Sequence, residues 1–249
     1  MIDRARTWTA ALVCALYWGV GGTVVLLLAL VLGPILPASL ARRVGGFIIR
    51  WPFRGFIFLL RALGVARCEF VGFDRLQHQV GGFVLAPNHP AIWDAVFILA
   101  KVPHLTCILK SSLLCNPLLA GGARLARFIP NDPPQEMIRQ CITTLGQGGR
   151  LLLFPEGTRT RKAETVLNEF RGGVAIVARQ ARVPVIPVFV QTDSDYGMKG
   201  RPLWHPDYRL IRIRMTLGES MTCGEEETSH QFLERLRAAY LSALSRPPE

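Results

Sequence analysis

The chain has 249 residues, half of them hydrophobic, and a formal net charge of +11. This length accommodates one α/β domain together with a membrane element, and the mean hydropathy of +0.27 is high for a soluble enzyme. The arginines that supply most of the charge are scattered and accompany no nucleic-acid-binding motif, which argues against a nucleic-acid partner. Anionic lipid headgroups, an acidic carrier protein or compositional bias remain as explanations of the charge.

The N-terminal apolar segment is predicted to associate with a membrane. Residues 7–41 carry no formal charge, and about 20 apolar residues suffice to cross a bilayer as a helix. A cleaved signal peptide is the alternative, but its apolar core is usually only about 7 to 15 residues long. We therefore expect a retained span, or a hairpin within one leaflet. The arginines concentrated after this segment predict that the rest of the chain lies on the cytoplasmic side, in bacteria beneath the inner membrane.

A basic stripe follows the apolar segment. Arg43, Arg50, Arg54 and Arg61 recur at helical spacing, with aromatic and aliphatic residues on the opposite surface. This pattern predicts a helix lying in the interface of an anionic membrane, kinked or split at Pro52. An ordinary amphipathic core helix with a solvated arginine face is the alternative. Residues 1–66 thus form the predicted membrane region.

From residue 67 to 246 the pattern predicts one α/β domain, with a central, largely parallel sheet flanked by helices. The predicted strands are 68–71, 82–86, 106–109, 150–154, 185–190 and 210–217, and the predicted helices are 91–100, 134–147, 171–182 and 229–245. Ligands gather beyond the carboxyl ends of parallel strands. His89 and Glu156 each follow a predicted strand, so we expect both to open onto the same edge of the sheet.

The six cysteines predict neither a metal site nor disulfides. They form no CxxC pair and no metal-type cluster. Free, mostly buried thiols are expected, as in a domain that faces the cytosol.

The segment from Asn88 to Asp94 carries the first chemical signal. Pro90 favours extended backbone at His89, and Asp94 falls in the first turn of the next predicted helix, where the helix dipole stabilises a carboxylate. The carboxylate can then orient one ring nitrogen of His89 and leave the other as a general base. This is the base-and-orienter half of a catalytic triad, with a substrate hydroxyl as the nucleophile. The spacing alone is weak, because a lone histidine is more often structural.

The second chemical signal is the segment Phe-Pro-Glu-Gly-Thr-Arg at residues 154–159. A plain turn at a strand end does not require the hydroxyl of Thr158 or the guanidinium of Arg159, and both groups suit phosphate oxygens. Gly157 would let backbone amides approach a ligand closely. Further positive charge comes from Arg171 and from the pair Arg161 and Lys162.

In these motifs the chain resembles the lysophospholipid acyltransferase family, which includes the 1-acylglycerol-3-phosphate acyltransferases. His89 and Asp94 match the family's His-x4-Asp motif, residues 154–159 match its Phe-Pro-Glu-Gly-Thr-Arg motif, and residues 183–188 match its later Val-Pro-type segment. The resemblance spans roughly residues 65 to 220 and implies transfer of a fatty acyl group to a glycerolipid hydroxyl in phospholipid biosynthesis. It implies acyl-CoA or acyl-carrier protein as the donor, a lysophospholipid as the acceptor, contact with membrane lipids, and no bound cofactor. The resemblance also implies that Glu156, Gly157, Thr158 and Arg159 hold the acceptor headgroup.

One position departs from the family pattern. Asn131 stands where the family usually carries a phosphate-binding arginine, and an amide cannot replace a permanently charged, bidentate partner. Arg124, Arg127 or Lys110 could compensate. The alternatives are an acceptor other than lysophosphatidate, such as an amino-acid-derived lipid or an aryl-polyene-type intermediate, and a non-catalytic protein that recruits an acyl carrier. A hydrolase using Ser111 or Ser112 is disfavoured, because neither serine lies in a Gly-x-Ser-x-Gly elbow.

Overall fold

The computed structural model describes residues 4–160, 167–201 and 207–245, which form a mixed α/β protein with a central sheet, flanking helices and an N-terminal apolar helix. The helices are α1 (Arg4–Leu32), α2 (Ala38–Ala62), α3 (Asp94–Lys101), α4 (Pro117–Leu125), α5 (Pro134–Gly146), α6 (Gly173–Ala181) and α7 (Ser229–Leu244). The strands are β1 (Ala66–Val71), β2 (Phe83–Pro87), β3 (Leu105–Leu109), β4 (Ile129–Pro130), β5 (Arg150–Leu152), β6 (Val185–Thr192) and β7 (Ile211–Leu217). The predicted fold class is therefore confirmed.

The chain divides into two compact units. Unit 1 takes in residues 1–67, 95–137 and 206–211, and unit 2 takes in residues 68–94, 138–205 and 212–249, as far as these are described. The predicted division into a membrane region and a catalytic domain at residue 66 stays a prediction.

Unit 1 is built on three helices that pack together, α1, α2 and α4. Glycines permit the close approach: a Cβ on Gly45 would meet the backbone of Leu125 and Ala126, and one on Gly122 would lie 2.9 Å from Val25. Among the described residues, α1 alone is long and apolar enough to cross a membrane, by length and composition. Strands β3 and β4 pair in parallel in the same unit.

Helix α2 runs through Pro52 without a break. Of the two predicted effects of Pro52, the split into two pieces is therefore wrong, and the kink stays a prediction. Proline in a helix interior removes its own N–H donor and crowds the carbonyl four residues before it. Packing against α1 offsets this cost, since the rings of Phe53 and Phe56 lie 5.6 and 5.1 Å from that of Trp18. The Pro52 carbonyl accepts a hydrogen bond from the Tyr17 hydroxyl at 2.8 Å.

The four arginines of the basic stripe on α2 fall into two groups. Arg43, Arg54 and Arg61 are exposed, whereas Arg50 donates to the carbonyls of Ala100 and Lys101 at the end of α3, at 3.1 and 3.2 Å. Those are carbonyls that a helix end leaves without intrahelical partners. Arg50 therefore caps a helix, and an interfacial position for the other three arginines stays a prediction.

Unit 2 contains the strands in the order β1-β7-β6-β2-β5. Strand β2 pairs in parallel with β5 on one side and with β6 on the other, and β7 pairs antiparallel with β6. Residues Phe83, Val84 and Leu85 of β2 are fully buried, as expected for a strand covered on both faces. Helix α7 begins with a capping box formed by Thr228 and Gln231 and buries Tyr240.

Candidate active site

Both sequence motifs leave the sheet at the carboxyl ends of neighbouring parallel strands in unit 2. Leu85 of β2 lies opposite Leu152 of β5, and the last ladder bond runs from the Leu153 amide to the Leu85 carbonyl at 3.0 Å. If this register is continued beyond the ends of the two strands, His89 lies opposite Glu156. The structure joins them there, because the His89 amide donates to Oε1 of Glu156 at 2.8 Å.

His89 and Asp94 form the predicted pair. The Nδ1 atom of His89 lies 2.9 Å from Oδ2 of Asp94, with 17% of the histidine side chain and 2% of the aspartate side chain exposed. The same oxygen accepts from the Ala91 amide at 2.8 Å. Since an ionised carboxylate only accepts hydrogen bonds, Nδ1 is the donor to Asp94, and in a neutral imidazole Nε2 is then the nitrogen with the lone pair.

Burial raises the pKa of the Asp94 carboxyl, and the hydrogen bonds from His89 and Ala91 together with the charge of Arg159 oppose that rise. The predicted helix from residue 91 begins only at Asp94. The Ala91 amide donates to the Asp94 carboxylate, and the Ile92 amide donates to the Gly197 carbonyl at 3.0 Å. Residues 91 and 92 therefore precede the helix.

Two further contacts fix the backbone and ring at this position. The side-chain amide of Asn88 exchanges two hydrogen bonds with the backbone of Val190 in β6, at 2.7 and 2.9 Å. The imidazole of His89 stacks on the ring of Phe154, with centroids 4.1 Å apart and an angle of 28° between the planes. The phenylalanine of the second motif thus packs against the histidine of the first.

The Glu156 carboxylate is surrounded by donors from the chain itself. The residue is 2% exposed, its oxygens accept from the Thr160 hydroxyl at 2.9 Å each, and Oε2 accepts from the Asn168 amide at 3.0 Å. Burial raises the pKa of Glu156, and the hydrogen bonds from His89, Asn168 and Thr160 oppose the rise. A headgroup could reach these oxygens only by displacing internal donors.

Three cations lie around the rest of the turn, with Arg159 half-buried and Arg171 and Lys199 exposed. Gly157 has φ of 63°, and a Cβ there would meet the side chain of Arg171 at 2.6 Å. The Thr158 hydroxyl accepts from Nζ of Lys199 at 3.2 Å. Nη1 of Arg159 donates to the Gly197 carbonyl at 2.9 Å, so this guanidinium holds the loop that carries Lys199. Arg161 and Lys162 lie outside the described residues.

The remaining candidates belong to unit 1. Oδ1 of Asn131 accepts from the amide and the hydroxyl of Ser111, at 3.0 and 3.2 Å. Arg124 and Arg127 lie exposed at and just beyond the end of α4. Arg127 adopts φ of 56°, and a guanidinium nitrogen of Arg124 lies 3.5 Å from the Leu114 carbonyl.

Sequence reasoning missed several residues of this site. Thr160, Asn168 and Lys199 contact the motif residues in the structure, and Asn88 fixes the backbone beside His89 through its bonds to Val190. Thr160 and Asn88 adjoin the motifs, which was a usable signal. Asn168 and Lys199 are brought in by tertiary structure, and no local pattern marks them.

Three cysteine thiols among the described residues are poor candidates for a nucleophile. Burial raises the pKa of the thiols of Cys68, Cys107 and Cys141 to about 12, so these thiols are protonated at neutral pH and poor nucleophiles. The described residues contain no group of three or more His, Cys, Asp or Glu side chains placed to hold a metal ion.

Comparison with known proteins gives several curated relatives. The 1-acyl-sn-glycerol-3-phosphate acyltransferase of Pseudomonas aeruginosa is 27% identical over 167 residues, which cover 65% of this chain and 62% of that protein. The enzymes of the same name from Streptococcus pneumoniae and Saccharomyces cerevisiae are each 26% identical, over 54% and 65% of this chain. The chain spans 51 to 62% of the length of these three relatives.

A solved structure shares the fold. The crystal structure of the 1-acyl-sn-glycerophosphate acyltransferase from Thermotoga maritima superimposes with a TM-score of 0.73 at 18% identity, covering 94% of this chain and 96% of that one.

Residues 67–191, half of the chain, match the sequence model of the family described as Acyltransferase. The chain therefore belongs to the acyltransferase family.

Proposed function

We propose that this protein is a membrane-associated O-acyltransferase that transfers a fatty acyl group from acyl-CoA or acyl-carrier protein to the hydroxyl of a 1-acylglycerol-3-phosphate-like lysophospholipid. The observation that carries the proposal is the 2.9 Å hydrogen bond between His89 and the buried Asp94, in a chain of the acyltransferase family. The names of the curated relatives support the acceptor class.

The catalytic step follows from the geometry of the pair. Nε2 of His89 takes the proton of the acceptor hydroxyl while that oxygen attacks the thioester carbonyl. Asp94 holds the ring and stabilises the imidazolium that forms. A tetrahedral oxyanion results, the C–O ester bond forms and the C–S bond breaks. The leaving thiolate takes the proton from His89, so no covalent acyl-enzyme and no cofactor take part.

The acceptor headgroup is held, in this proposal, by the turn of Gly157, Thr158 and Arg159 together with Lys199. The short contact between Lys199 and Thr158 supports this placement, because an ammonium group and a hydroxyl together suit a phosphate. Arg124 and Arg127 remain further candidates for the phosphate. Glu156, the fourth residue predicted from the motif, has its oxygens engaged by internal donors.

Residues 67–246 make up the catalytic domain in this proposal, and residues 1–66 attach it to the cytoplasmic face of a bacterial inner membrane. The length and apolar composition of α1 support attachment. The exposed arginines Arg43, Arg54 and Arg61 of α2 suit anionic headgroups.

A second candidate function is favoured by Asn131. Its Oδ1 atom is occupied by Ser111, and it supplies no positive charge where the family usually has an arginine. An acyltransferase of the same fold whose acceptor lacks a phosphate fits this observation.

One experiment tests both candidates. Purified protein and the His89→Ala variant are incubated in lipid vesicles with acyl-CoA or acyl-carrier protein and a panel of lysophospholipid and phosphate-free acceptors. We expect transfer to a lysophosphatidate hydroxyl that falls by about 10² to 10⁴-fold in the variant, since general-base assistance contributes a factor of that size. Undiminished turnover in the variant would refute His89 as the base. Transfer only to phosphate-free acceptors would establish the second candidate.

A further inference from the structure

The environment of Glu156 is unlike that of a headgroup ligand. Its carboxylate is buried and accepts from the His89 amide, the Thr160 hydroxyl and the Asn168 amide at 2.8 to 3.0 Å. Ligands that bind a phosphate must donate hydrogen bonds or carry positive charge, and a carboxylate does neither. The residue therefore serves the protein itself.

Glu156 acts on the backbone of His89 from beyond the sheet. The last ladder bond between β2 and β5 ends at Leu153, and the two chains then separate into the two motif loops. The Glu156 side chain bridges that gap at the register position of His89. The Thr160 amide donates in turn to the His89 carbonyl at 2.7 Å. Both backbone polar groups of His89 are thus bound by the segment from Glu156 to Thr160.

We propose that Glu156 is a positioning residue that fixes the backbone of His89 through its buried carboxylate and so sets the attack geometry of the imidazole. This rests on the proposed function, in which His89 is the base. His89 is followed by Pro90 and lies past the end of β2, so the strand no longer restrains it. Small displacements of a base cost rate and not affinity, because near-attack geometry is required only in the reacting complex.

The test is Glu156→Gln, with Glu169→Gln as the matched control on an exposed glutamate of the same unit. An amide in either orientation places an N–H₂ group against the amide of His89 or of Asn168 and removes the charge that strengthens the remaining bond. We expect kcat to fall about 100-fold, with the acceptor KM within about twofold of the control. A tenfold or larger rise in the acceptor KM with kcat retained would overturn the proposal, because it would mark Glu156 as a headgroup ligand.

A second readout does not depend on activity. Selective ¹⁵N-histidine labelling gives amide signals from the five histidines, and His89→Ala identifies the relevant one. We expect hydrogen exchange of the His89 amide to be at least about tenfold faster in Glu156→Gln than in Glu169→Gln, since exchange reports local opening. An exchange rate within twofold of the control would overturn the proposal. If the wild-type protein transfers no acyl group, the proposed function fails while this readout still decides the role of Glu156.

Thr160→Val tests the same positioning role if the Glu156→Gln variant does not fold. The valine has the shape of threonine but lacks the hydroxyl, whose single proton is shared between the two oxygens of Glu156. We expect a smaller loss of kcat, about tenfold, with the acceptor KM unchanged. A raised KM with unchanged kcat would again contradict a positioning role.

Discussion

The substitution Asp94→Asn isolates the charge of the orienting residue from its shape. Oδ2 of Asp94 accepts from both Nδ1 of His89 and the amide of Ala91. An asparagine whose oxygen takes the place of Oδ2 keeps both bonds and the side-chain volume. What it loses is the negative charge beside the imidazolium that, in the proposed mechanism, forms during attack.

The size of the effect follows from the distance. The bonded atoms are 2.9 Å apart, and the imidazolium charge is spread over its ring, so the charge centres are about 4 Å apart. At an effective dielectric constant of about 20, that separation is worth about 4 kcal/mol. Each 1.36 kcal/mol of barrier is a factor of about ten in rate. We therefore expect kcat to fall about 10³-fold, with KM for donor and acceptor within about threefold.

The assay measures release of the free thiol from acyl-CoA in the presence of lysophosphatidate vesicles. Asp74→Asn is the control, because Asp74 is an exposed aspartate of the same unit, and its activity should equal that of the wild type. If Asp94→Asn retains more than a tenth of the wild-type kcat, the aspartate does not stabilise the imidazolium and the reasoning is refuted.

Two further predictions concern the headgroup and the helices. Lys199→Ala should raise the acceptor KM about tenfold with little change in kcat, because it removes one charge-assisted contact worth about 1.5 kcal/mol. An unchanged KM for a phosphate-bearing acceptor would show that Lys199 does not bind the headgroup. Gly45→Ala should destabilise the protein by about 1 to 3 kcal/mol in thermal unfolding, since its Cβ would overlap the backbone of α4. Gly46→Ala, which has open space, should not, and equal melting temperatures would contradict the packing argument.

Much of the fold is visible in the local sequence. The apolar run of α1, and five of the strands of unit 2 with their intervening helices, follow from hydropathy and periodicity, because burial on one or both faces dictates the residue type at each position. Their observed bounds differ from the predicted ones by a few residues.

Two elements escaped sequence-based prediction because their stability is tertiary. Helix α4 contains Gly121 and Gly122, each about 1 kcal/mol less favourable than alanine in a helix. It forms because those glycines let it pack against α1 and α2. Strand β4 has only two residues, too few to show any period.

The sequence by itself predicted the His89–Asp94 pair and membership of the acyltransferase family. His89 and Asp94 are close because they are only five residues apart around one turn, and each of the two motifs is a single short segment of the chain. The surroundings of Glu156, on which its proposed role rests, were decided only by tertiary structure. Its partners are His89, just beyond β2, and residues 160 and 168, and they meet because neighbouring parallel strands end in register. A carboxylate that reads as a headgroup ligand in the sequence is, once folded, buried among donors of its own chain, because hydrogen-bond partners depend on long-range contacts that no local pattern encodes.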